Sequence, residues 1–460
     1  MKEIHTMNRR QFLHATAAIA AGTPVFAQSL AKQQAASSLF GSSKSSKPVL
    51  GIAEWYCYHM NFDALPPEDA VEQCIAAHDA AGIRHLVWAI GRGTIDYHSR
   101  NPAHTLLGGL GSSIGSEDWS PVVKLLRQQC TFRRAVAVSR DRGMKFWGRL
   151  GMNRHYGNKA YLGGTSRFSQ EHPQFRERGR GGHEDATRLC YAFDEVQAER
   201  LDIIGEVQQL GIDGLVLDYC RQPPITRYHP RWVELFQKNG GEDPRSWKAP
   251  TLEQLMPWYQ FRAGMMTGFM RKVRQQVREG ETKAGRPCPV IARVSATSLL
   301  SNLAAGLDLT TWLRDDLVDG LMLSPLVFCP QARDLVFEDH VKLAHQHGKV
   351  CIGGLGSLDL IQNHVPTNTG FFRPEPMYRL LARQYAAGVD AMSVYQTDSL
   401  ARMDYLREHL PLIGDPAAVK ARAVTAKDEQ VSPWLGYDWH TSREGRFAGY
   451  ELSSAGAQAM

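Results

Sequence analysis

The sequence predicts a single (β/α)8 barrel, and three observations carry that prediction. From Pro48 onward, eight short apolar runs alternate with amphipathic helical stretches, the signature of parallel βαβ units. Helix after helix stops at a glycine just before the next strand: Gly82, Gly143, Gly211, Gly348 and Gly388. An open doubly wound sheet is the alternative. It would want a glycine-rich phosphate turn after its first strand, where this chain has Glu54-Trp55-Tyr56-Cys57.

Each element follows from its own residues. The first strand is expected over 49–56, and the first helix over 67–81, with proline early and Gly82 as its stop. A strand at 85–90 leads to a helix over 119–142. The third strand, 145–151, precedes a long loop and a helix at 194–210. The fourth, 214–219, is followed by a helix over 252–279. Strands at 289–295, 320–324, 350–354 and 391–395 complete the eight, with helices at 309–317, 337–347, 374–387 and 400–412. Residues after Asp415 lack the pattern and read as an irregular C-terminal tail.

Bulk properties bound the function. With 460 residues, a net charge of +6, 43% hydrophobic and 22% charged residues, the chain is an ordinary globular protein and no nucleic-acid binder. No apolar run reaches the length of a membrane-spanning helix. The eight cysteines form no C-x-x-C pair, which removes zinc-ribbon and thioredoxin readings and leaves buried thiols. The first strand has no His-x-His, as metal-dependent amidohydrolase barrels do, and no lysine closes strands four to eight for a Schiff base. No metal and no cofactor is therefore expected. Gly353-Gly354-Leu355-Gly356-Ser357 is either a tight turn or a phosphate cradle.

The N-terminus reads as an address. Asn8-Arg9-Arg10-Gln11-Phe12-Leu13 sets a twin arginine before bulky apolar residues, and an alanine-rich run ends at Val25-Phe26-Ala27. Residues 1–27 are expected to be a twin-arginine export signal, recognised by the twin-arginine translocation machinery, with a periplasmic or extracellular destination. Residues 28–47, rich in Ser, Ala, Gln and Lys, read as a disordered tether. The barrel domain is expected over 48–415 and the tail over 416–460.

Catalytic residues of such barrels sit at the C-terminal ends of the strands and in the loops that follow. Asp218 closes the otherwise apolar run Gly214-Leu215-Val216-Leu217, so a rigid strand lifts it to the rim. Arg149, Arg293 and Arg221 are expected around it, and cations favour the ionised carboxylate. Asp218 then suits a nucleophile or charge stabiliser, which places the proton donor elsewhere, at Asp398 or Glu54 or in the loop after strand three. Asp213, at the opposite end of the strand, is expected to be structural. Sugar rings pack C–H faces on aromatic planes while their hydroxyls bind polar side chains. That makes Trp55, Trp88, Tyr219 and Tyr395, with Arg149, Asn153, His155, Arg221, Arg293 and Gln396, the expected substrate-binding set. The loop after strand three carries Arg167, Arg176, Arg178, Arg180 and Arg188. It is either a solvated insertion or a cationic surface for an acidic or sulfated polymer.

Around strand four, Phe193-Asp194-Glu195-Val196, then Glu206, then the run from Gly211 through Asp213-Gly214 to Asp218-Tyr219-Cys220-Arg221 resembles the family 10-like glycosyl hydrolases. Trp258-Tyr259-Gln260-Phe261-Arg262 is similar to the opening of that family's next helix. The resemblance implies an exported (β/α)8 barrel acting on glycans, with Asp218 at the site. The chain departs from the pattern at its arginine-rich loop and at Cys220-Arg221-Gln222-Pro223-Pro224. A glycan-binding barrel without catalysis, and a barrel lyase or isomerase, are the alternatives to a glycoside hydrolase.

Overall fold

The computed structural model describes residues 36, 39–40, 46–54, 68–91, 95, 97–104, 130–152, 166–220, 224–248, 250–324, 335–357, 374–395, 397–398 and 404–424. Eight parallel strands close into a barrel in sequential order, the last pairing with the first. They are β1 (Val49–Ala53), β2 (His85–Gly91), β3 (Lys145–Gly151), β4 (Gly214–Asp218), β5 (Val290–Ser295), β6 (Gly320–Ser324), β7 (Val350–Ser357) and β8 (Ala391–Tyr395). The outer helices that follow them are α1 (Ala70–Ala80), α2 (Thr131–Asp141), α3 (Asp194–Gln209), α4 (Leu252–Ala284), α5 (Leu309–Arg314), α6 (Glu338–Gln346), α7 (Pro374–Ala387) and α8 (Asp404–Ile413).

Strand side chains alternate between two apolar layers, as the two-residue period requires. Leu50, Ile52, Val87, Trp147, Val216, Ile291, Met322, Val350 and Ile352 fill the barrel interior. Their neighbours Leu86, Ile90, Leu215, Leu217, Leu321 and Leu323 belong to the larger cluster between barrel and helices. The five helix-stop glycines all have positive φ, from 65° at Gly348 to 97° at Gly388, where a side chain would be strained. Thr251 opens α4 with a capping box to Gln254, which helps a 33-residue helix begin at a defined place.

The structure corrects several expectations. Strand one stops at Ala53 and strand four at Asp218. The glycine-rich 353–357 segment is not a tight turn but the end of β7. There Gln384 clasps Gly354, donating to its carbonyl (3.0 Å) and accepting from its N–H (2.7 Å). Additional helices occur at Pro230–Lys238 and Leu299–Ala304. The stretch expected to be an irregular tail begins with a helix, Pro416–Val424, packed against α7; residues 425–460 lie outside the described residues.

Within the expected tether, Ala36, Leu39 and Phe40 pack against the barrel's inner cluster. The Phe40 ring meets His85 edge-on at 5.3 Å, and Trp147 Nε1 donates to His85 Nδ1 at 3.3 Å. Burial pushes the His85 imidazole down to about 4, so it stays neutral and can accept.

Among the described cysteines, Cys74, Cys190, Cys220, Cys288 and Cys351 are buried free thiols and Cys130 is half-buried.

Candidate active site

Strand parity builds the site. Two positions beyond the inner apolar residues Ile52, Trp147, Val216 and Ile291 stand Glu54, Arg149, Asp218 and Arg293. Each therefore points inward, on top of the apolar plug. The β4–β5 register sets Asp218 directly beside Arg293.

One guanidinium joins the two carboxylates. Arg149 donates from Nη1 to Asp218 and from Nη2 to Glu54. Arg293 Nη1 donates to Asp218 Oδ1 (3.1 Å) and Oδ2 (2.9 Å), and its Nη2 to Ser324 Oγ (2.8 Å). The Tyr395 hydroxyl donates to Glu54, and its ring lies 5.5 Å and 4.6 Å from the Arg149 and Arg293 guanidinium carbons. Asp398 Oδ1 accepts the Glu54 backbone N–H at 2.9 Å. All of these residues are 2% exposed or less.

Burial alone would raise the Asp218 carboxyl, but Arg293 and Arg149, with help from Cys220, outweigh it and hold it below the usual carboxylate range. Burial works against the charge on Arg149 too. The nearby Glu54 and Asp218 carboxylates reverse that and keep it cationic. Burial likewise pushes the Cys220 thiol up to about 12, against the pull of Arg293. It stays a neutral thiol 2.7 Å from Arg293 Nη1.

The structure thus brings Glu54, Arg149, Asp218, Arg293, Tyr395 and Asp398 together. Trp55, Asn153, His155, Arg221 and Gln396 lie outside the described residues. Trp88 and Tyr219 are not in this constellation. Both have outward parity and sit in the helix-facing core. Trp88 packs on Phe146 with ring centroids 6.0 Å apart. Tyr219, one residue past Asp218, donates to Met270 Sδ at 3.0 Å. Asp213 has the structural role expected of it: its carboxylate accepts the Phe146 N–H at 2.9 Å and lies 3.6 Å from Arg286.

Ser324, the strand-end residue that β6 offers with inward parity, joins the network through Arg293. One participant escaped the sequence reading. Cys220 stands two residues past Asp218, in step with the inward positions, and touches Arg293; parity carried one step beyond the strand end would have found it. Among the described residues, no group of three His, Cys, Asp or Glu side chains is placed to hold a metal ion.

The arginine-rich loop is folded. It holds a short helix, Arg167–Glu171, and an antiparallel hairpin of Arg176–Arg178 with Glu184–Leu189. Its arginines are met locally: Arg167 by Glu171, Arg176 and Arg178 by Glu184, Arg188 by Asp185, and Arg180 by the Trp247 carbonyl. Four of the five thus face a carboxylate, with Arg176 and Arg178 sharing one, while Arg180 faces a neutral carbonyl.

No protein-family model matches the sequence, and no curated protein matches it. Solved structures similar to this chain include the catalytic domain of β-amylase from Paenibacillus polymyxa (9% identity, TM-score 0.49, 84% of this chain and 100% of that one). The α-L-fucosidase isoenzyme 2 of Paenibacillus thiaminolyticus is similar at 12% identity and TM-score 0.47, over 83% of this chain and 50% of that one. A β-N-acetylhexosaminidase from Bacteroides fragilis is similar at 12% identity and TM-score 0.44, over 88% and 71% respectively. In each case the likeness is one of chain path.

Proposed function

We propose that this chain is an exported enzyme that hydrolyses glycosidic bonds, with Asp218 as the ionised carboxylate and Glu54 as its partner. The observation that supports this reading is the pair of buried carboxylates on a single guanidinium at the C-terminal ends of the strands. Glycoside hydrolysis needs two carboxyl groups flanking one bond. The two terminal nitrogens of one guanidinium keep Glu54 and Asp218 within a side chain's width, which fits the closer spacing of retaining enzymes, about 5–5.5 Å. Asp218, flanked by two cations, suits the nucleophile or stabiliser. Glu54 has one cation beside it, Arg149, where Asp218 has two, and it accepts from the Tyr395 hydroxyl; of the two it is the better placed to take up and give back a proton. Asp398, which holds the Glu54 backbone, becomes a supporting carboxylate rather than the proton donor.

The test is a panel of neutral, acidic and sulfated glycans, assayed for new reducing ends, with the anomer of the first product read by NMR. Cleavage with retention supports the pair. Cleavage with inversion would reassign the partner of Asp218, and unsaturated products would make the barrel a lyase. The burial of the whole network to 2% exposure or less favours a second reading, a glycan-binding barrel whose ion pairs are structural. Binding without cleavage across the panel would establish it.

Export is part of the proposal and rests on Arg9-Arg10. Replacing both with lysine is expected to leave the protein in the cytoplasmic fraction. Mature protein still found outside the cell would rule out the twin-arginine route.

A further inference from the structure

Thr397, beyond β8, occupies space that exists because Gly51 has no side chain. A Cβ there would lie 2.9 Å from both Thr397 Oγ1 and His78 Cδ2, closer than packed atoms allow. His78 reaches this point from α1 and is fully buried, as is Thr397.

The tautomer of His78 follows from its partners. Its Nδ1 lies 2.7 Å from the Cys74 carbonyl oxygen, which can only accept, so Nδ1 carries the proton. Its Nε2 is then an acceptor, and Thr397 Oγ1, 2.7 Å away, donates to it. Burial lowers the imidazole to about 4, against the Cys74 carbonyl, so the ring is neutral and keeps this arrangement at neutral pH. The next residue, Asp398, accepts the Glu54 N–H at 2.9 Å.

We propose that the His78–Thr397 hydrogen bond is the positioning device for Glu54: it fixes Thr397, whose neighbour Asp398 holds the main chain at the residue carrying the reactive carboxyl. The proposal rests on the assignment of Glu54 made above. His78 and Thr397 touch no reacting atom. They act through Asp398 on the backbone from which the Glu54 side chain projects, and a displacement of about 1 Å at a reacting group is enough to cost roughly a hundredfold in rate. Gly51 is required because any larger residue would occupy the place of the two partners.

The experiment compares Thr397→Val, which keeps the shape and removes the donor, with Thr397→Ser, which restores it. Two quantities are read in the full chain: hydrogen exchange at the Glu54 amide, and kcat and KM on a glycoside that the wild type cleaves. Thr397→Val is expected to speed exchange at Glu54 by about tenfold or more. It should lower kcat by about ten- to a hundredfold with KM almost unchanged, and Thr397→Ser should restore both. Unchanged exchange and kcat in Thr397→Val would overturn the proposal, as would a loss that serine fails to restore or one expressed in KM alone. Should the wild type cleave no glycoside, the hydrolase reading fails. The exchange measurement then decides the anchor by itself: faster in valine and restored in serine upholds it, and unchanged overturns it. If Thr397→Val does not fold, Thr397→Ala, which adds no bulk, is read in the same way.

Discussion

Asp218→Asn is expected to fold and to lose most glycoside hydrolysis, on the order of 10² to 10⁴ in kcat. The change is nearly isosteric and keeps an acceptor for the N–H of Cys220, but it removes the negative charge that Arg149 and Arg293 now face. A nucleophile would be abolished outright, and a stabiliser of developing positive charge would lose several kcal/mol. Stability should fall too, by about 1–3 kcal/mol, because two buried guanidinium groups lose the anion between them. The pH dependence has a definite sign. The folded-state pKa of Asp218 is depressed by its two arginines. Its contribution is therefore complete above the unfolded carboxyl value of about 3.9 and is lost as pH falls through the lower folded value. In the asparagine variant this part of the acid transition should be missing, which acid titration followed by circular dichroism would read. Near-wild-type activity on a verified substrate would move the active centre away from Asp218.

Arg149→Met is expected to have the largest effect on stability, a loss of about 3–5 kcal/mol. The methionine fills much of the volume but leaves the Glu54 and Asp218 carboxylates buried together, with Arg293 the remaining cation at Asp218. The deficit should be greatest at neutral pH and shrink as pH falls, because protonating one carboxyl relieves the repulsion. Arg149→Lys keeps the charge but cannot hold two carboxylates at once from a planar fork, so it should recover only part of the loss. Denaturant unfolding at two pH values checks this. A small deficit that does not change with pH would mean that the arginine is a packing element rather than the bridge between the acids.

The sequence made the barrel legible because each of its signals was local. Apolar runs marked the strands, and Gly82, Gly143, Gly211, Gly348 and Gly388 marked where helices had to end, all with the positive φ that glycine accepts. Asp218 and its two arginines were readable for a related reason: each ends or interrupts an apolar strand. What failed was parity. Trp88 and Tyr219 look like rim aromatics by position, yet each lies one residue out of step with its inward neighbours and so faces the helices. The bridge from Arg149 to Glu54 and the link from His78 to Thr397 span 95 and 319 residues of chain, and no spacing rule reaches that far. The arginine-rich loop was legible only in part. Net charge counts residues but does not say which carboxylates a hairpin brings to them, such as Glu184 to Arg176 and Arg178.

Ala36, Leu39 and Phe40 close the end of the barrel opposite the carboxylates. Their placement makes them electrical insulation. The strength of the Arg149–Asp218 attraction depends on how little water reaches the barrel axis, since the same pair is many-fold weaker in a hydrated medium than in a dry one. The inner apolar layer bars water from below, and these three side chains add a further course to it, with Phe40 edge-on to His85 and His85 beside Trp147. A chain trimmed to start at Pro48 would keep every strand and every charged residue. Its lowest course, His85 and Trp147, would lose that cover, and a short stretch that reads as spare length ahead of the barrel would prove to be the outer layer of the seal beneath the ion pairs.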